Sequence, residues 1–231
     1  APSNMTLCVE GDVDAEKIRA IAEELLPKDR SPVPSADFGP EEGPLPVSPL
    51  RREAMSVSAP QFLIGAKLCP APAGEAALKQ HLVSQLALRL LAGASSPFYT
   101  GLYEKGLLNR DFDYEADFSA GTGTVIIGGE SQEPERVLEE LQREVARICS
   151  EGIDPARFER ARRASLGARL RGLEDFENVC VSLALGQFDG YCAFDAPAML
   201  ERITKEDCEG FIRENLAPEK LALSIIEPER S

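Results

Sequence analysis

Leu78, Leu82, Leu86 and Leu90, with Val83, Ala87 and Leu91 beside them, form a helical stripe that constrains the fold more than any other feature of the chain. It is wider than the apolar face of an ordinary surface helix, so this helix has to lie on a broad apolar support. Strands flank it. Gln61 to Leu68 reads as a strand before it, and Phe112, Tyr114, Ala116 and Phe118 alternate at period two after it, which is the pattern of a strand with one buried face. Thr124 to Gly128, with Val125-Ile126-Ile127 at its centre, is the hairpin partner across Ala120-Gly121-Thr122-Gly123, and Leu221 to Ile226 is the closing strand. Gly93 to Pro97 stops the long helix and caps a short one over Phe98 to Lys105. Pro134 starts a helix carrying Val137, Leu138, Leu141, Val145 and Ile148. Further helices are expected over Pro155 to Arg171, Asp175 to Phe188, Ala196 to Ile203 and Lys205 to Asn215. This order predicts an α+β fold: a two-layer α/β unit over residues 61–226, its largely antiparallel sheet covered on one face by the long helices.

The first 60 residues have a different texture. Met5 to Val9 reads as a short buried strand ended by Gly11-Asp12. Asp14 can cap a helix whose Ile18, Ile21, Ala22, Leu25 and Leu26 fall at helical spacing. From Pro27 to Pro60 the chain holds 8 of its 17 prolines and no helical period, so an extended linker crossing a surface is expected. The opening Pro2-Ser3-Asn4-Met5-Thr6-Leu7-Cys8-Val9-Glu10 also echoes Pro218-Glu219-Lys220-Leu221-Ala222-Leu223-Ser224-Ile225-Ile226-Glu227. If the two occupy the same position in two repeats, residues 1–26 are the last strand and helix of a missing N-terminal half. Residues 27–60 are then a proline-rich linker, and 61–231 a C-terminal half.

Charge narrows the partners. With 39 acidic and 25 basic residues the net charge is −14, which argues against nucleic acid, whose phosphates are bound by Lys and Arg. No apolar run approaches the ~20 residues of a membrane span, so no membrane partner is expected. The six cysteines are scattered without a C-x-x-C pair and read as reduced core residues of a cytoplasmic protein.

In their order along the chain, these segments resemble the pitrilysin/insulinase-type zinc metallopeptidases, the inverzincin family that includes mitochondrial processing peptidase. Asn4-Met5-Thr6-Leu7-Cys8-Val9-Glu10-Gly11-Asp12-Val13-Asp14 looks like that family's N-M-x-L-x-V-x-G-D-V-D. Leu86 to Leu107, with Gly93, Ser95, Ser96, Leu102, Glu104, Gly106 and Leu107, looks like its L-L-G-G-x-x-S-R-L-x-x-x-L-R-E-x-x-G-L, and Thr124 to Leu141 resembles the strand and helix that follow. The resemblance implies two similar halves closing around a chamber for unfolded peptides. Zinc sits in the first half on an H-x-x-E-H helix, with two His as ligands and the Glu as general base. This chain would match the end of the first half, the linker and the whole second half, which in the family usually binds no metal.

A catalytic zinc needs three protein ligands and a water, and the single histidine, His81, has no second His or Glu at helical spacing. No metal and no catalytic residue is therefore expected in this chain. Active members carry an Arg and a Tyr of the second half near the scissile bond; here Pro97 and Tyr103 stand at the two arginine positions and Asn109 about where the Tyr would be. The substrate-binding candidates are Ser96, Tyr99 and Tyr103, together with Asp111, Asp113, Glu115 and Asp117, which alternate with the aromatic set and would share one strand face. A calcium loop fails, because Ala116 fills the sixth position and Thr122 the twelfth. Arg157, Arg160, Arg162, Arg163, Arg169 and Arg171 read as ordinary helix surface with ion pairing.

The expected function is that of the non-metal-binding C-terminal half of a zinc peptidase, forming chamber wall and peptide clamp. Its partners would be unfolded peptides and a metal-bearing N-terminal half, in the same protein or in a paralogous subunit. The chain alone is expected to be inactive. The alternative is a non-enzymatic peptide-binding or scaffold protein derived from the family. A stand-alone hydrolase comes third, since no Ser-His-Asp or Cys-His constellation with a nucleophile elbow is present.

Overall fold

Helix α2 (Glu75–Ala92) buries 10 of its 18 residues, and the other elements are arranged to cover it. The computed structural model describes residues 4–26, 32, 37, 39, 40, 43–119 and 121–229. Beneath α2 lies a five-stranded sheet of β1 (Leu50–Met55), β2 (Gln61–Leu68), β3 (Asp113–Asp117), β4 (Gly123–Glu130) and β5 (Ala222–Pro228), in the order β1-β5-β2-β4-β3. β2–β4, β2–β5 and β3–β4 pair antiparallel and β1–β5 pairs parallel, so the sheet is mixed.

Period-two alternation decides which face is covered. Phe62, Ile64, Val125, Ile127, Leu223 and Ile225 point one way and are buried, with Tyr114 and Ala116 of β3 packed on the same side. The layer over them consists of α2, α3 (Pro97–Glu104), α4 (Pro134–Glu151), α5 (Pro155–Gly172), α7 (Ala196–Arg202) and α8 (Lys205–Asn215). Asp154, Ser96 and Thr204 cap α5, α3 and α8, and Thr204 with Asp207 completes a capping box. The expected α+β fold is the observed one, with one parallel pair added at the edge.

Three expectations need correction. The segment Met5 to Val9 forms no strand ladder; Met5 and Leu7 are 67% and 64% exposed. An apolar run becomes a strand only beside a partner strand, and Thr6 to Cys8 instead line a pocket together with Leu183 and Gln187 of α6 (Phe176–Phe188) and Tyr191 beyond it. Second, the proline-rich stretch contains β1, which Leu50-Arg51-Arg52-Glu53-Ala54-Met55 hides from pattern reading because it lacks alternation. β5 provides its ladder, and Arg52 anchors it to Glu135 of α4 and to Glu227. Third, the cysteines are free, but of the six only Cys208 lies in the core; Cys69, Cys149 and Cys192 are exposed. Ala120 of the expected hairpin loop, residues 1–3, and much of 27–42 lie outside the described residues.

Helix α1 (Ala15–Leu25) forms as expected, capped by Asp14 on the Lys17 amide at 3.1 Å, but it buries none of its residues. Burial predicts its energetic weight. Leu91→Ala, in the core at 0% exposure, should cost roughly 2–5 kcal/mol in urea unfolding. Leu25→Ala, at 74% exposure, should shift stability by no more than about 0.5 kcal/mol.

Candidate functional site

The sheet's second face is where sequence-expected residues meet solvent. Residues paired across a ladder share a face, so Asp113, Glu115 and Asp117 stand with Gly128, Ile126 and Thr124, and these with Leu63, Gly65 and Lys67. All three acids are exposed, as is Leu63 at 51%. Asp111 is exposed as well but sits in the turn before β3 rather than in the strand. The strip runs along an edge strand, where charge also guards against edge-to-edge pairing.

Sequence reading missed two neighbours of the strip. Extending the β3–β4 register by two residues sets Asp111 opposite Glu130, and Asn109 ties the pair together. Its Nδ2 donates to Glu130 Oε2 at 3.2 Å and to Asp111 Oδ2 at 3.4 Å, while its Oδ1 accepts from the Asp111 amide at 2.9 Å. Tyr99 donates its hydroxyl to the Asn109 carbonyl at 3.3 Å. Here the chain therefore has an amide that organises carboxylates. Asp111 and Glu130 line one end of a groove of about 300 Å³ whose wall includes Gln61, Leu63, Ser224 and Ile226. Only the strand register reveals Glu130; no local motif marks it.

The tyrosines form part of an aromatic cluster. Tyr99 stacks on Tyr103 with centroids 5.7 Å apart and meets Phe112 at 5.6 Å. Tyr103 is 45% exposed and Tyr99 half-buried, so both offer ring surface to solvent beside the groove's acidic end. Ser96 is fully buried, and its Oγ accepts the Tyr99 amide at 2.9 Å as the cap of α3. Its role is to orient the helix that carries both tyrosines.

The arginine helix is not all surface. Glu144, buried on α4, takes two hydrogen bonds from Arg147 at 2.8 and 2.9 Å, with Arg157 of α5 at 4.0 Å. Arg157 also donates to the Leu90 carbonyl near the end of α2, so it joins three helices. Its burial lowers its pKa, whereas the hydrogen bonds and charge of Glu144 raise that of Arg147.

His81 is held in a hydrogen-bonded chain with Gln85 and Arg169. Its Nε2 is 2.8 Å from the Gln85 amide nitrogen Nε2, and Gln85 Oε1 accepts from Arg169 Nη2 at 2.7 Å. With the amide oxygen held by Arg169, the amide nitrogen donates and His81 must accept, which is the neutral imidazole. Burial, followed by the charge of Arg169, lowers the His81 pKa, against smaller opposing contributions from Asp189 and Asp117. Among the described residues no group of three His, Cys, Asp or Glu is arranged to hold a metal ion, so these residues do not fit a catalytic zinc. Burial pushes the Cys208 thiol up to about 12, which makes it inert. Among the described residues no helix is long and apolar enough to cross a membrane.

Comparison with known proteins agrees with this geometry. Residues 1–165 match the family model of the peptidase M16 inactive domain. The chain is 31% identical over 231 residues to the uncharacterized zinc protease YmfH of Bacillus subtilis, covering 98% of this chain and 54% of that protein. A structure described as an M16-like peptidase from Alicyclobacillus acidocaldarius superposes with a TM-score of 0.84 at 27% identity, over 94% of this chain and 52% of that one. The peptidase M16 inactive domain from Pseudomonas fluorescens shares the fold at a TM-score of 0.67 and 16% identity, over 94% of this chain and 52% of that one. The chain thus spans about half the length of these relatives.

The His81 environment makes a pH prediction. A folded-state pKa below the ordinary 6.5 means that stability is present above about pH 6.5 and is lost as pH falls through the folded value. The melting temperature of wild type minus that of His81→Gln should therefore fall between pH 7.5 and 5.5. A constant difference across that range would contradict the buried neutral imidazole.

Proposed function

The chain belongs to the M16 peptidase family as its inactive, C-terminal half, and from that premise we propose that it serves as the wall and peptide clamp of a two-half peptidase. The observation that carries this reading is the sheet face turned away from the helical layer, with Asp113, Glu115 and Asp117 exposed along its edge and Asp111 with Glu130 at the groove. Fixed carboxylates on an open face attract extended basic peptides without consuming them. Tyr99 and Tyr103 add flat apolar area at the same end. Ser96 acts from inside by setting α3.

Hydrolysis by this family's route needs a polarised water, a carboxylate base beside it and donors for the developing oxyanion. The described residues supply carboxylates but no group arranged to hold a metal, so the proposed partner is a metal-bearing N-terminal half, in the same protein or a paralogous subunit, that holds the zinc. On this reading residues 1–26 belong with that half and the stretch from 27 to the start of β1 bridges to it; α1, which buries nothing here, is then covered in the assembly. The free thiols, three of them exposed, suit the reducing cytoplasm.

The test is cleavage of an unfolded peptide pool by the chain alone, with zinc, and with the N-terminal half added. Activity is expected only in the last case; chelator-sensitive cleavage by the chain alone would refute the reading. Exchanging Asp111, Asp113 and Asp117 for Asn and Glu115 for Gln together should weaken binding of a basic peptide about three- to tenfold at low salt, with the difference shrinking as salt rises.

A further inference from the structure

Arg169 is an anomaly in this acid-rich chain. It is half-buried, and its side-chain hydrogen bond among the described residues runs to the neutral Gln85 amide at 2.7 Å. Arg52, Arg147, Arg162 and Arg202 all reach carboxylates, but no described carboxylate lies within ion-pair distance of Arg169. Burial lowers its pKa, against a smaller opposing contribution from Tyr191. It lines a pocket of about 100 Å³ between α5, α6 and α7, whose wall is otherwise mostly apolar, Leu173, Val179, Leu183 and Phe194 among it, with Asn178 and Ser182 as its other polar side chains. Leu173 and Phe194 are 45% and 55% exposed, so the pocket has an open apolar rim.

We propose that this pocket binds an apolar carboxylate, with one branched aliphatic side chain in the cavity and the carboxylate on the Arg169 guanidinium. The volume is that of about three waters, which suits one such side chain and little more. A single guanidinium matches a monoanion by its two-pronged donor geometry. An Asp or Glu side chain would supply the charge but leave the apolar wall unfilled, whereas a carboxylate next to a Leu-like side chain satisfies both. Two sources carry that chemistry: a free apolar acid, or the C-terminal residue of a peptide. The second source rests on the peptide-clamp reading above and is the one assigned here. The pocket shares no residue with the acid strip, so the two sites stand or fall separately.

Titration of the full chain with N-acetyl-leucine, followed by NMR, tests the site. Binding near millimolar affinity is expected for so small a ligand. N-acetyl-leucinamide, which lacks the carboxylate, should bind at least about tenfold more weakly, as should N-acetylglycine, which lacks the side chain. Arg169→Met should lose binding without a lower melting temperature, since it breaks no ion pair. Ser182→Leu should fill the cavity and block the ligand with Arg169 intact, which keeps the test valid if Arg169→Met fails to fold. Equal binding of acid and amide, or no binding of N-acetyl-leucine at about 20 mM, would overturn the inference. A pentapeptide ending in leucine should bind as its free acid at least as well as N-acetyl-leucine; binding of the small acid alone would overturn the peptide assignment. A C-terminally amidated basic peptide reads the acid strip in the same experiment, so failure of this pocket is distinguishable from failure of the clamp.

Discussion

A helix that is apolar around most of its circumference must be covered on most of its circumference, and α2 imposes that requirement on the whole unit. The sheet supplies its floor, and α5, α7 and α8 close its sides, with Lys79 of α2 paired to Asp207 at the start of α8 at 2.7 Å. Its end is equally fixed. A Cβ at Gly93 would stand 2.4 Å from the Arg89 carbonyl oxygen and 3.1 Å from the Tyr114 hydroxyl, so glycine lets the helix stop directly against β3. Using one sheet face for α2 leaves the other face outside the helical layer, and that remainder is where the candidate site lies.

Much of this was legible because the deciding signals are local. The β3–β4 hairpin follows from the alternation of Phe112, Tyr114, Ala116 and Phe118 with acids, and the helices from their stripes and proline or Ser/Asp caps. What escaped depends on neighbours distant in sequence. β1 is a charged, exposed edge strand whose partner β5 lies at the far end of the chain. Met5 to Val9 carries strand-forming residues but has no partner strand beside it. Glu130 joins Asp111 only through register, and Arg157 reads as surface until α2 and α4 are folded around it.

The same division explains how charge is distributed. On the helical side, several ionic groups are paired and structural: Glu144 with Arg147, Lys205 with Glu209, Arg52 with Glu135. On the open side, Asp113, Glu115 and Asp117 run along β3 two residues apart, roughly 7 Å from one to the next. Water tolerates that repulsion, and an approaching cationic peptide relieves it. The aromatic pair Tyr99 and Tyr103, held by the Ser96 cap, borders the acidic end and turns a charged edge into a surface with shape.

The central claim is that the open face, not the helical layer, meets peptide. Hydrogen–deuterium exchange on the chain assembled with its N-terminal half, with and without an unfolded basic peptide, tests it most directly. Peptide should slow exchange in residues 111–117 and leave α4 and α8 unchanged. Protection confined to α4 and α8, with residues 111–117 unaffected, would contradict the account.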